Sequence, residues 1–270
     1  MPPATNQKGS VKTWMMLLFR CIRNKQLRLW YTALCCCTLS SNSLHLQAQN
    51  RISDHNDIFW MPLNLSIRLN NQWSWNGEYQ WRRDNSGRSR QQDLWRTGIS
   101  VKLGATQQFQ LGYAWVRTHP YGDIPIASRG SFSENRIHQQ WMSFWPGLAG
   151  NPTWQQRIRL EQRWLNASGF SGPWTFMNRI RVMQRLNIPL KANCWYAYVW
   201  DEVFLGFGKN TGQNVFDQNR LAAGLGWDGW KQLKMELGIF QQILQQGRPV
   251  GGKNIFQYNT GPMLMMHWKF

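Results

Sequence analysis

Trp95-Arg96-Thr97-Gly98-Ile99-Ser100-Val101-Lys102-Leu103 places apolar side chains at every second position and polar or small ones between them. After a tight turn at Gly104-Ala105-Thr106 the rhythm resumes, with Phe109, Leu111, Tyr113 and Trp115 set against Gln108, Gln110, Gly112 and Ala114. A period of two residues is the signature of an extended chain with one greasy and one polar face. The two runs therefore predict neighbouring β-strands joined by a hairpin.

The same division recurs outward in both directions. Trp73, Trp75, Tyr79 and Trp81 oppose Ser74, Asn76, Glu78, Gln80 and Arg82, and Leu233, Met235, Leu237 and Ile239 oppose Gln232, Lys234 and Glu236. Eleven segments follow the pattern, near 57–69, 72–83, 93–103, 107–118, 133–145, 153–166, 173–187, 191–204, 215–228, 231–243 and 254–270. Most reach the roughly 9–11 residues that a tilted strand needs to cross a bilayer. The connections alternate as well, short at Asn70-Asn71, around Gly104, at Ile188-Pro189-Leu190 and at Asp228-Gly229-Trp230, and longer at 84–92, 119–132, 205–214 and 244–253. Short turns at one end and long loops at the other predict an all-β, antiparallel, transmembrane up-and-down barrel over 57–270. Because single-chain bacterial barrels ordinarily have an even strand number, about 12 strands are expected, with 10 as the alternative. The twelfth would have to run outward before residue 57, where 50–58 is a poor candidate.

Composition agrees with this reading. Eighteen Trp, 13 Phe and 7 Tyr accompany a negative mean hydropathy, so apolar and polar residues are finely mixed, and Trp and Tyr favour surfaces where an apolar phase meets water. The net charge of +18 is divided between a leader, with six basic and no acidic residues in 1–49, and a body with 25 basic against 13 acidic residues. The basic residues of the body are scattered singly through alternating segments, which argues against a nucleic-acid partner. Arg20, Arg23, Lys25 and Arg28 precede the apolar stretch Leu29–Leu39, and small polar residues lead to Leu46-Gln47-Ala48-Gln49. This is the layout of a secretory signal peptide over 1–48, cleaved after Ala48 and followed by a short segment 49–56. It predicts export to the outer membrane of a Gram-negative bacterium. Only Cys194 lies beyond the leader, so the body has neither a disulfide framework nor a cysteine metal site, and no metal or cofactor is expected.

Charges on the polar faces form the candidate site. Arg157, Arg159, Glu161 and Arg163 share one face of their segment, opposite Ile158, Leu160 and Trp164, and Arg179, Arg181 and Arg185 oppose Ile180, Val182 and Leu186. With the apolar faces against lipid, these charges point into the barrel, since a cation on the lipid face at the midplane costs roughly 2–4 kcal/mol. Glu78, Glu161, Glu202 and Glu236 are the expected lumen partners, joined by Asp201 or Asp217. Two readings stay open: a plug of ion pairs, or a surplus of guanidinium that attracts an anionic solute, an acidic sugar or a lipid phosphate. Asp201-Glu202 and Asp217 to Arg220 flank the loop 205–214 and are expected to clamp it at the rim. A catalytic reading would rest on His119 and the nearby Ser128, Ser131 and Ser133. A loop histidine beside serines arises readily by chance, and His138 and Ser143 face opposite sides, so no catalytic residue is assigned.

The final segment puts Phe256, Tyr258, Leu264, Met266, Trp268 and the terminal Phe270 on one face, opposite Gln257, Asn259, His267 and Lys269. A last strand ending in Phe resembles the signal read by the barrel-assembly machinery, carried here by Trp268 and Phe270. The runs Arg157-Ile158-Arg159-Leu160-Glu161-Gln162-Arg163, Arg179-Ile180-Arg181, Asp201-Glu202-Val203-Phe204 and Phe216-Asp217-Gln218-Asn219-Arg220 resemble the bacterial family known as domain of unknown function 2490. That resemblance implies an outer-membrane barrel from Bacteroidetes-like bacteria, without an assigned activity. Outer-membrane lipid and the assembly machinery are the partners it implies. The functional alternatives are a structural or narrow-transport barrel, a selective channel for anions or acidic solutes, a lipid-modifying hydrolase, and a soluble periplasmic β-sandwich.

Overall fold

Alternation of this length leaves every strand with an apolar outer face and a polar inner one, and a sheet built from such strands satisfies its edges by closing. The computed structural model describes residues 51–125, 130–145, 152–166, 173–190, 194–212, 214–247 and 249–270. The leader and Ser128 lie outside them. Twelve strands are formed: β1 (Arg51–Asp57), β2 (Phe59–Arg68), β3 (Trp73–Asp84), β4 (Ser89–Lys102), β5 (Gln107–Thr118), β6 (Phe132–Trp145), β7 (Thr153–Asn166), β8 (Thr175–Pro189), β9 (Trp195–Phe207), β10 (Phe216–Trp227), β11 (Leu233–Gln245) and β12 (Asn254–Lys269). From β2 to β12 each pairs antiparallel with the next, and β12 closes the ring by pairing with β2.

The closing pair is parallel. β1 and β2 run along the same neighbour at one offset: Trp60 faces Met263 and Leu63 faces Met266, while Asn56 bonds Asn259 and Asp54 bonds Gln257, all 203 residues apart. β1 is thus the continuation of β2, interrupted at Ile58, and the ring contains eleven strands. The expected twelve strands are present, eleven of them in the closed ring and β1 as an extra segment. Among the described residues no outward-going strand precedes β2, and direction alternating round an odd ring must bring two parallel neighbours together at the seam. Gly261 is required there, because a Cβ on it would lie 1.7 Å from the Ile58 carbonyl oxygen.

The faces are inverted relative to a water-soluble protein. Leu237 and Ile239 are 62% and 61% exposed, and Trp95, Leu111, Ile137, Val182 and Leu225 also point outward, whereas Gln257, Asn259, Glu161 and Arg159 are buried in the lumen. An outer apolar band with a polar interior is the arrangement of a membrane-spanning barrel. An apolar cluster of Ile58, Trp60, Tyr196, Tyr198, Trp200, Ala222, Phe240 and Met263 nevertheless sits inside, against the β2 and β9–β12 wall.

The β5–β6 loop folds back into the long-loop mouth. The Tyr121 hydroxyl donates to Gln257 Oε1 at 3.1 Å and accepts from Asn259 Nδ2 at 3.2 Å, while Gln246 Nε2 donates to the Ile124 carbonyl at 2.6 Å. The loop is thereby pinned to β12 and the start of the β11–β12 connection, on the far side of the mouth from its own strands.

Candidate functional site

Inward-facing positions on β6 to β10 carry a continuous run of charge. Arg136 meets Glu134 at 2.6 Å, Glu134 meets Arg163 at 2.5 Å, and Arg163 approaches Asp217 to 4.0 Å. Asp217 then binds Arg179 at 2.6 Å, Arg179 binds Glu161 at 2.5 Å, Glu161 binds Arg181 at 2.7 Å, and Glu202 joins Arg181 and Arg157, each at 2.9 Å. Arg159 completes the set 3.6 Å from Glu161, so one carboxylate faces three guanidinium groups. Desolvating each ion costs several kcal/mol, which only partners in good geometry offset, and the planar fork of Arg can serve two carboxylates at once. The Arg181 fork does this, spanning Glu161 and Glu202.

Two smaller charged groups lie elsewhere in the lumen. Arg185 binds Glu236 at 2.7 Å, which also accepts from the Tyr196 hydroxyl at 2.7 Å and lies 3.6 Å from Lys234. Glu78 accepts from Arg96 and Gln80. The structure thus gathers Arg157, Arg159, Glu161, Arg163, Arg179, Arg181, Glu202 and Asp217 into one network and keeps Arg185 with Glu236, and Glu78, apart from it.

Two expectations at the rim are corrected. Asp201 lies on the outward phase of β9 and accepts from Asn219 Nδ2 at 2.8 Å, because its odd position opposes the inward Glu202. The clamp on loop 205–214 does not form either. Glu202 and Arg220 are paired in register, but Glu202 spends its oxygens on Arg157 and Arg181.

Arg220 instead joins a column of alternating guanidinium and aromatic groups across the lumen. Arg82 lies 4.6 Å over Trp60, Arg220 lies 5.5 Å from Trp60 on one side and 4.6 Å from Phe204 on the other, and Arg181 lies 4.2 Å over Phe204. Such contacts are worth about 2 kcal/mol when desolvated. The Nε atoms of Arg82 and Arg220 are buried and make no hydrogen bond to protein, and neither residue pairs with a carboxylate among the described residues. On either side of the column lie cavities of about 400 and about 150 Å3. Among the described residues Arg220 alone lines both.

Sequence reasoning missed Glu134, Arg136, Trp60 and Arg82. The first two were readable, since Glu134 and Arg136 alternate with Asn135 and Ile137 as Arg157 and Arg159 alternate with Ile158. Trp60 and Phe204 carry a subtler mark, an aromatic ring on the polar phase of its strand. Trp268 is half-buried near the end of β12, and Phe270 is exposed yet tied to β2 by Phe270 N–H to the Ser66 carbonyl at 2.9 Å and Arg68 N–H to the Phe270 carbonyl at 2.7 Å. Among the described residues no cluster of His, Cys, Asp and Glu is arranged to hold a metal.

Solved structures similar to this chain include one described as "NanC porin structure in rhombohedral crystal form", at 13% identity and a TM-score of 0.38, covering 72% of this chain and 85% of that one. No curated protein matches the sequence. The family described as "Protein of unknown function (DUF2490)" matches residues 57–250, from the end of β1 into the β11–β12 connection. With its lumen network and most of its barrel inside that match, the chain belongs to the DUF2490 family.

Proposed function

We propose that the protein is an outer-membrane barrel, exported by the leader 1–48, whose lumen serves as a narrow, anion-preferring passage for small acidic solutes. The observation that carries this reading is Arg220, a buried cation that, among the described residues, has no carboxylate partner and alone lines both cavities. Inward Arg outnumber inward carboxylates, and a cationic constriction in a confined lumen lowers the energy of an anion and raises that of a cation. Arg82 and Arg220 add two planar donor forks, suited to a carboxylate or phosphate oxygen pair. The inward fold of the loop around Tyr121 narrows the route, which favours small solutes.

The test is reversal potential in a planar bilayer under a salt gradient. The wild type should conduct with anion preference, and Arg220→Gln should lose several-fold in anion over cation permeability while keeping its heat-dependent gel mobility. Failure of the folded wild type to conduct would leave a closed, structural barrel.

A further inference from the structure

The lumen does not account for a second constellation, on the outward side of the barrel where β4, β5 and β6 meet the long loops. Ser131 Oγ lies 2.9 Å from His119 Nδ1, and His119 Nε2 lies 3.5 Å from Asp93 Oδ2. Asp93 is itself held, accepting from the Tyr79 hydroxyl at 3.0 Å and from Arg83 Nη1 at 3.3 Å. A carboxylate only accepts, so the imidazole proton belongs on Nε2, toward Asp93. Nδ1 is then the free acceptor for the serine hydroxyl. We propose that Ser131, His119 and Asp93 are the nucleophile, general base and orienting acid of an esterase site that takes acyl esters of membrane lipid.

Three observations select this substrate class. Asp93 points outward, in phase with the 55% exposed Trp95 and out of phase with the buried Leu94 and Arg96, so the site opens toward lipid and away from the lumen. Trp95 stacks on Tyr79 at 4.2 Å, and the Tyr79 hydroxyl touches Asp93. Aromatic girdles mark the membrane–water boundary, which puts the serine at the depth of the ester linkages joining acyl chains to headgroups. Arg90 and Arg117 lie close enough to act on His119 electrostatically, which puts cationic side chains near the site on the side where an anionic headgroup would sit. Burial, with help from these two arginines and against the pull of Asp93, holds the His119 imidazolium below its ordinary range. The base is therefore neutral and available at pH 7.

In the reaction Ser131 Oγ bonds to the ester carbonyl carbon as its proton passes to His119 Nδ1. Collapse of the tetrahedral adduct breaks the bond to the alcohol, which leaves with that proton. Water then adds to the acyl-serine, giving its proton to His119, and the acid departs as the serine hydroxyl is restored. The 3.5 Å contact to Asp93 is longer than a hydrogen bond, as catalytic contacts often are before substrate closes the site. Two nitrogens exchange roles relative to the familiar serine triad, where Nε2 meets the serine; the proton transfers are unchanged.

The full chain, folded in detergent, is assayed on a p-nitrophenyl fatty ester in mixed micelles and treated with an alkyl fluorophosphonate. Hydrolysis and a label on Ser131 are expected. Ser131→Ala should abolish both, and His119→Ala should lose about 100- to 10,000-fold, the usual worth of a general base. Added imidazole should restore part of the His119→Ala loss, a rescue that a merely structural histidine would not give. Asp93→Asn should lose less, and Ser133→Ala should behave as wild type. The rate should hold at neutral pH and fall only below the ordinary histidine range of about 6.5. The inference is overturned if the heat-modifiable wild type neither exceeds Ser131→Ala in turnover nor takes up label at Ser131.

Discussion

The two walls of the lumen are built on different principles. On β6–β9, guanidinium and carboxylate groups alternate so closely that Glu134, Glu161 and Glu202 each hold two or more arginines. On the facing wall Trp60, Trp200, Phe240 and Met263 pack as a core, and Arg82 and Arg220 lie on aromatic rings without a carboxylate. The paired wall spends its charge on its own order, while the aromatic wall leaves its cations available. A lumen can thus be both rigid and attractive to anions, with β9 and β10 contributing to both walls through Glu202 and Asp217 on one and Trp200, Phe204 and Arg220 on the other.

Glu161→Gln should break this contrast most severely. It leaves Arg159, Arg179 and Arg181 facing one another with one charge fewer, and loss of a buried partner costs about 3–5 kcal/mol. The temperature at which the barrel loses its compact gel mobility should fall accordingly. Phe204→Leu tests the other wall more gently: losing the ring beneath Arg181 and Arg220 should cost about 2 kcal/mol and loosen the column between the cavities, read as raised conductance. Arg220→Gln loses its two ring contacts but also relieves a buried cation that has no carboxylate partner among the described residues, so thermal stability should change less than in Phe204→Leu while anion preference falls several-fold, separating the two roles. Tyr121→Phe should have the smallest effect, a modest rise in conductance with selectivity kept, because it releases the hydroxyl contacts, among them those to Gln257 and Asn259, and keeps the ring.

Much of this was legible in the chain. Strand limits over β5 and β7 agree with the alternation to the residue, and β2 to β4 and β8 to β12 agree within a few positions. β4 begins at Ser89, earlier than its apolar rhythm, since the pairing continues past a bulge at Arg82 and Arg83 into polar residues that carry no alternation. The inward phase of Arg157, Arg159, Arg179 and Arg181 was equally legible. Glu161, Glu202 and Asp217 were legible as lumen carboxylates, but which arginine each meets was not, and Glu134, two strands from Arg179 and linked to it through Arg163 and Asp217, joins by a route set by register across strands. The meeting of Ser131 with His119 and Asp93 was likewise hidden, since Asp93 is brought there by the β4–β5 pairing and reads in sequence as an ordinary strand residue.

The sequence by itself determined the period of two, the inverted faces, the lengths of the spans and the division into short turns and long loops. Each of these follows from backbone geometry and side-chain polarity within a few residues. Only the tertiary structure decided the odd ring with its parallel seam, the inward fold of the Tyr121 loop, the cation–aromatic column and the choice of ion-pair partners. These depend on which residues meet across an offset of 203 or across several strands, and period-two alternation carries no information about that offset.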